Sequence, residues 1–163
     1  MNAESRGRMP RLGLAIALLA GSMLMYEVLL TRICSLRLYY HFGFLVVSNC
    51  LLGVGASAAV IAVLQDRLKE QAHAWIWRAT AGYFLVLPLV YAGMLAFPIP
   101  AELRLTEVRD MGVFTAFNFL AALPFFFSGG AIGLILTFES KNVNRLYALD
   151  LLGAGLGCVV LPL

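Results

Sequence analysis

The residues able to do chemistry in this chain are few, and they stand in apolar surroundings. Glu27 follows Tyr26, fifteen residues into an uncharged run that opens at Leu12. A carboxylate at membrane depth is costly when ionised and unpartnered, so Glu27 must face protein or a water-filled cavity. Thr31 lies one turn on, at i+4, and can share its face; Arg32, at i+5, can reach it with a long side chain. Two kinds of chemistry fit: a polar cavity for a cation or protons, or a clamp in which Glu27 pairs with Arg32 or with another helix. The clamp is the preferred reading. Asp150, three residues after Tyr147, opens the last apolar run. It is either a binding carboxylate or a helix-start residue favoured by the macrodipole, with Lys141 and Arg145 near enough to compensate it. The two acids belong towards opposite faces of the membrane and are not joined into one proton relay. Asn49 is a weaker polar candidate; interhelical hydrogen bonding explains it, as it explains Asn118 and Ser128.

Other site chemistries find no support. Cys34, Cys50 and Cys158 stand singly, and His41 and His73 are the only histidines, so no metal-ligating or haem pattern forms. Cys50 and Cys158 read as small packing residues. The string from Gly53 to Ala58 matches a loose dinucleotide pattern, and Gly153 to Gly157 is glycine-rich, but neither follows a strand. No catalytic residue, metal site or cofactor is assigned. A formal charge of +3, scattered between apolar runs, gives no reason to expect a nucleic-acid partner.

The elements that must position these residues are long apolar runs. Hydrophobic residues make up 61% of the chain and charged residues 13%, against about 25% charged in ordinary soluble domains. A bilayer core about 30 Å thick needs roughly 20 apolar helical residues. Spans are expected over about 12–33, 42–64, 79–100, 112–138 and 146–163, preceded by a basic tail over 1–11. The expected fold is an all-α, polytopic transmembrane bundle with four complete spans and a fifth ending at Leu163. The bilayer is its first partner, and the cut fifth span reads as part of a longer protein.

Basic residues set the orientation. Arg6, Arg8, Arg11, Arg67, Lys69, Arg78, Lys141 and Arg145 make eight on one side; Arg32, Arg37, Arg104 and Arg109 make four on the other. The N-terminus is therefore expected inside. Gln65–Glu70 reads as a short surface helix, Trp75 and Trp77 as interfacial anchors, and Phe97–Pro100 as the stop of the third span. Pro88 and Pro124 fall mid-span. Small residues four apart mark packing faces: Gly53 with Ser57, Gly55 with Ala59, Gly129 with Gly133, and Gly153 with Gly157.

Two segments resemble the membrane part of bacterial spermidine synthase-like integral membrane proteins. One carries Tyr26-Glu27 and Thr31-Arg32, followed by Leu52-Gly53; the family often has tryptophan where Leu30 stands. The other carries Pro124-Phe125-Phe126 with Ser128-Gly129, then Tyr147, Asp150 and Gly153-Ala154. The resemblance covers about residues 20–160. It implies a bacterial cytoplasmic membrane, and a polyamine-related role: anchoring a spermidine synthase-like transferase domain, carried on the same or a neighbouring chain, or handling a related cationic metabolite. The catalytic module lies outside these 163 residues, so no enzymatic residue carries over. Two other readings stand beside it. One is a small transporter, or half of one, with Glu27 and Asp150 as cation or proton sites. The other is a structural membrane subunit that meets further membrane helices through its glycine faces.

Overall fold

A computed structural model describes the backbone of residues 3–37, 43–96, 108–139 and 142–160, with side chains for 10–36, 43–93, 111–139 and 142–160. Among the described residues five helices follow one another: α1 (Ala3–Arg37), α2 (Gly43–Glu70), α3 (Ala72–Ala96), α4 (Val108–Phe138) and α5 (Val143–Val160). The described residues contain no strand. Four stretches among the described residues are long and apolar enough to cross a membrane: Pro10–Leu36, Gly43–Glu70, Met111–Phe138 and Val143–Val160. α3 carries His73, Trp75, Trp77 and Arg78 in its first two turns and is uncharged from Ala79 onward. His41, the Phe97–Pro100 stop, Arg104, Lys141 and residues 161–163 lie outside the described residues, as do the side chains of Arg6, Arg8, Arg37 and Arg109.

The helices run further than the apolar spans. α1 already begins at Ala3 and carries Pro10 inside it. Gln65–Glu70 is no separate surface helix but the last turns of α2. Its residues include good helix formers and no breaker, so the helix propagates past the apolar run until Gln71. There the backbone turns, and α3 starts with Trp75 N–H donating to the Gln71 carbonyl at 3.1 Å. The Arg78 guanidinium sits 4.9 Å from the centre of the exposed Trp75 ring, a cation–π arrangement.

Close approaches fix how the helices run. Gly13 lies against Leu149, Ala17 against Gly153 and Gly21 against Gly157, so α1 and α5 are parallel. Gly53 meets Ala122 and Phe125, Gly129 meets Val54 and Ser57, and Gly133 meets Ile61, which makes α2 and α4 parallel too. α3 packs antiparallel along α4, with Gly82 on Phe127 and Gly93 on Leu120. α1 passes α4 antiparallel as well: Ile16 and Ile135 share one buried cluster, Leu19 and Ala131 another, Tyr26 and Phe125 a third. Outside these seams the apolar surface is bare, with Phe44 at 81%, Leu51 at 69% and Leu156 at 66% exposure on three different turns. Contiguous apolar surface on this scale suits lipid and not water. The chain is a multi-pass helical membrane bundle.

Candidate functional site

Two polar groups form in this bundle, at different depths. The first gathers around Tyr26 and Glu27. Pro124 gives α4 no N–H at that point, so the Leu120 carbonyl four residues back loses its usual donor. The Tyr26 hydroxyl, coming from α1, donates to the nearby Ala121 carbonyl at 3.1 Å, and its ring stacks at a tilt 5.1 Å from Phe125. Ser128 Oγ donates to the Pro124 carbonyl at 2.8 Å, adding a bond across the same turn. Beside it, Asn49 Nδ2 of α2 donates to Asn118 Oδ1 of α4 at 2.9 Å, and Asn118 Nδ2 donates to the Phe114 carbonyl at 2.7 Å. On the other side of α1, Tyr83 of α3 donates to Ser22 Oγ at 3.1 Å, and Ser22 in turn donates to the Leu19 carbonyl at 2.9 Å.

Glu27 is half-buried, and its carboxyl lies beside the Cys50 thiol of α2. The clamp expected with Thr31 and Arg32 does not form. Thr31 Oγ1 donates instead to the Glu27 backbone carbonyl at 2.8 Å, and Arg32 is exposed. The reason is local. A helical threonine reaches the carbonyl one turn back more easily than any side chain there. Arg32, five residues on, points to a different sector of the helix.

The second group surrounds Asp150. A cavity of about 550 Å³ opens between α1, α2, α4 and α5, and the half-buried Asp150 lines it together with Ser57, Gly129 and Gly133. Among the described residues the Asp150 carboxylate has neither hydrogen bond nor ion pair. Arg145, expected to compensate it, is exposed, as is Tyr147. Because Leu149 abuts Gly13, Asp150 is level with the residue-14 turn of α1. Glu27 stands thirteen residues further along that helix, so at 1.5 Å per residue the two acids are separated by about 20 Å. They do not share a site.

The small residues divide in the same way. A Cβ at Gly53 would come within 2.6 Å of the Ala122 carbonyl oxygen, and one at Gly129 within 3.1 Å of Ser57 Oγ. Gly153 and Gly157 sit directly on the α1 backbone, at Ala17 and Gly21. Gly55, expected to pack, has nothing within 4 Å of a would-be Cβ, and Ala59 is exposed. They follow Gly53 and Ser57 by two residues, which turns them about 200° to the opposite face of α2. Cys50 lies beside Glu27, whereas Cys158 is exposed. Sequence reasoning missed the ladder Gly13, Ala17 and Gly21 on α1, although its four-residue spacing is the same signal.

No protein-family model matches the chain, and no solved structure matches it. It is 30% identical over 112 residues to Transmembrane 9 superfamily member 2 of Homo sapiens, of Rattus norvegicus and of Pongo abelii. Each match covers 68% of this chain and 16% of the relative, so the chain spans about one-sixth of their length. These matches overturn the resemblance to spermidine synthase-like proteins, since the relatives found carry a different membrane-protein name. With it go the anchoring of a transferase domain, the handling of a polyamine-related metabolite, and the support for a bacterial membrane. What stands is a multi-pass helical membrane bundle, similar over two-thirds of its length to a segment of Transmembrane 9 superfamily member 2.

Proposed function

We propose that this chain is a structural module, a self-packed helical scaffold within a longer multi-pass membrane protein. One observation carries the reading: two parallel seams, α1 on α5 and α2 on α4, in which glycines admit the neighbouring helix at backbone distance. Lipid gives no hydrophobic drive for helix association, so close van der Waals packing must hold such a module together. The polar groups around Tyr26 and Asn49 serve the same end, tying α1, α2 and α4 across the Pro124 turn. In this reading the N-terminus is cytoplasmic, in keeping with the eight-to-four basic asymmetry. α3 is a further crossing, because the parallel α2 and α4 require the chain between them to return.

Reconstitution in nanodiscs with hydrogen–deuterium exchange tests the scaffold. Backbone amides at the seams should exchange slowest and lose protection together, and sealed liposomes carrying the chain should pass no protons or cations. Uniformly fast exchange, or a protein-dependent flux, would reject it. Single-cysteine labelling should find Gln71 reactive from the cytoplasmic side and Glu102 from the other. The reverse pattern at both would invert the topology.

A further inference from the structure

The cavity between α1, α2, α4 and α5 has a polarity gradient that packing does not require. Equivalent levels on the four helices follow from their contacts. Glu27 meets Cys50 across antiparallel α1 and α2, and Ser57 meets Gly129 across parallel α2 and α4. On that scale Gln65 of α2, Thr137 of α4 and Asp150 of α5 are level with one another, at one end of the cavity. The other end, at Met23, Leu24 and Val54, is apolar. Six residues of α2 line it from Val54 to Gln65, eleven positions apart and so an axial run of about 16 Å.

Asp150 is the sole charged side chain among the described residues lining this cavity, and it has no partner there. A half-buried carboxylate without a counter-ion is an expensive group to retain beside lipid, and a cation placed at it would offset that cost. A small inorganic cation would use only the polar end. It would leave the apolar run facing water, and would find four side-chain oxygens at most, from Asp150, Gln65 and Thr137, fewer than the roughly six to eight a calcium ion takes. A volume of about 550 Å³ is of the size that takes small organic molecules.

We infer that this cavity binds a single-chain aliphatic amine, its ammonium head at Asp150 beside Gln65 and Thr137 and its alkyl tail running towards Met23 and Val54. A two-chain phospholipid amine is excluded from the site, since its phosphate would be repelled by the carboxylate and its second chain has no room. Binding here is independent of whether the module is a scaffold.

The test uses the full chain in phosphatidylcholine nanodiscs and a decylamine carrying a diazirine in its tail. Light should label α2 and α4 near Ile61 and Ile132, saturably, and decylamine should displace the label at least tenfold better than decanol does. Butane-1,4-diamine, sodium ion and added phosphatidylethanolamine should not displace it. Asp150→Asn should lower labelling at those residues at least fivefold. Ala58→Phe, which keeps the carboxylate and fills the space, should abolish it, so the inference is tested even if the Asp150 variant fails to fold. Labelling spread over lipid-facing residues such as Leu51 and Leu52 would overturn the proposal. So would decanol or the diamine competing equally, or Ala58→Phe leaving the label in place.

Discussion

Replacing Gly153 by alanine should destabilise the bundle, while the same replacement two residues on, at Gly155, should not. A Cβ on Gly153 would collide with three backbone atoms of Ala17, the carbonyl oxygen included, and no side chain can swing aside to relieve it. The α1 and α5 backbones must then separate by on the order of 1 Å to restore ordinary carbon contacts of about 3.5–4.0 Å. Overpacking of this kind costs about 1–3 kcal/mol, and the rigid backbone contact places Gly153 at the upper end. Alanine returns up to about 1 kcal/mol through helix propensity, leaving a net loss of about 2 kcal/mol. Gly155 faces open space, so only the propensity gain applies there. The folded-to-unfolded ratio should fall about 30-fold for Gly153→Ala and hold or rise for Gly155→Ala. Reversible unfolding in mixed micelles, titrated with sodium dodecyl sulfate and followed by helical circular dichroism, measures both. Equal shifts of the same sign at the two positions would refute the backbone seam. The spacing alone suggests that alanine is mild at Gly153 and only leucine severe; the direct contact with the Ala17 backbone changes that expectation. Alanine at Gly129 remains mild, because Ser57 Oγ and a Val54 methyl group make up most of what it meets.

Further outcomes follow from the polar groups. Tyr26→Phe removes the bond that ties α1 to the Ala121 carbonyl, which keeps Phe125 N–H as its helical donor, and should cost about 0.5–1.5 kcal/mol in the same titration. A double-mutant cycle on Asn49→Leu and Asn118→Leu should show a coupling of about 0.5–2 kcal/mol, and strictly additive losses would break the pair. Arg32→Gln should leave stability within about 0.5 kcal/mol of the parent, since Arg32 is exposed, and Glu27→Gln should couple to Cys50→Ala in a cycle but not to Arg32→Gln. A measurable coupling between Glu27 and Arg32 would restore the clamp.

Local properties of this chain were readable without a structure. Hydropathy is a sum over neighbouring residues and a bilayer has one thickness, so uninterrupted runs such as 111–138 declare membrane helices directly. The rarity of charge inside such runs singles out Glu27 and Asp150 for the same reason. Helix boundaries were less legible, because Gln65–Glu70 continues a helix on propensity after the apolar signal ends. What joins distant positions was not readable. Thr31 and Arg32 are the nearest polar side chains to Glu27 along the chain, yet its partner is Cys50, brought across by the antiparallel passage of α2. Spacing marks Gly53 and Gly55 alike, but only the placement of α4 gives one of them a neighbour and leaves the other bare. The hydroxyl of Tyr26 finds the Ala121 carbonyl 95 positions away because α1 passes α4 there, with Tyr26 packed on Phe125. Sequence sets which groups are costly to leave alone in lipid; the packing of five helices decides which group answers each of them, because that depends on contacts between residues far apart in the chain.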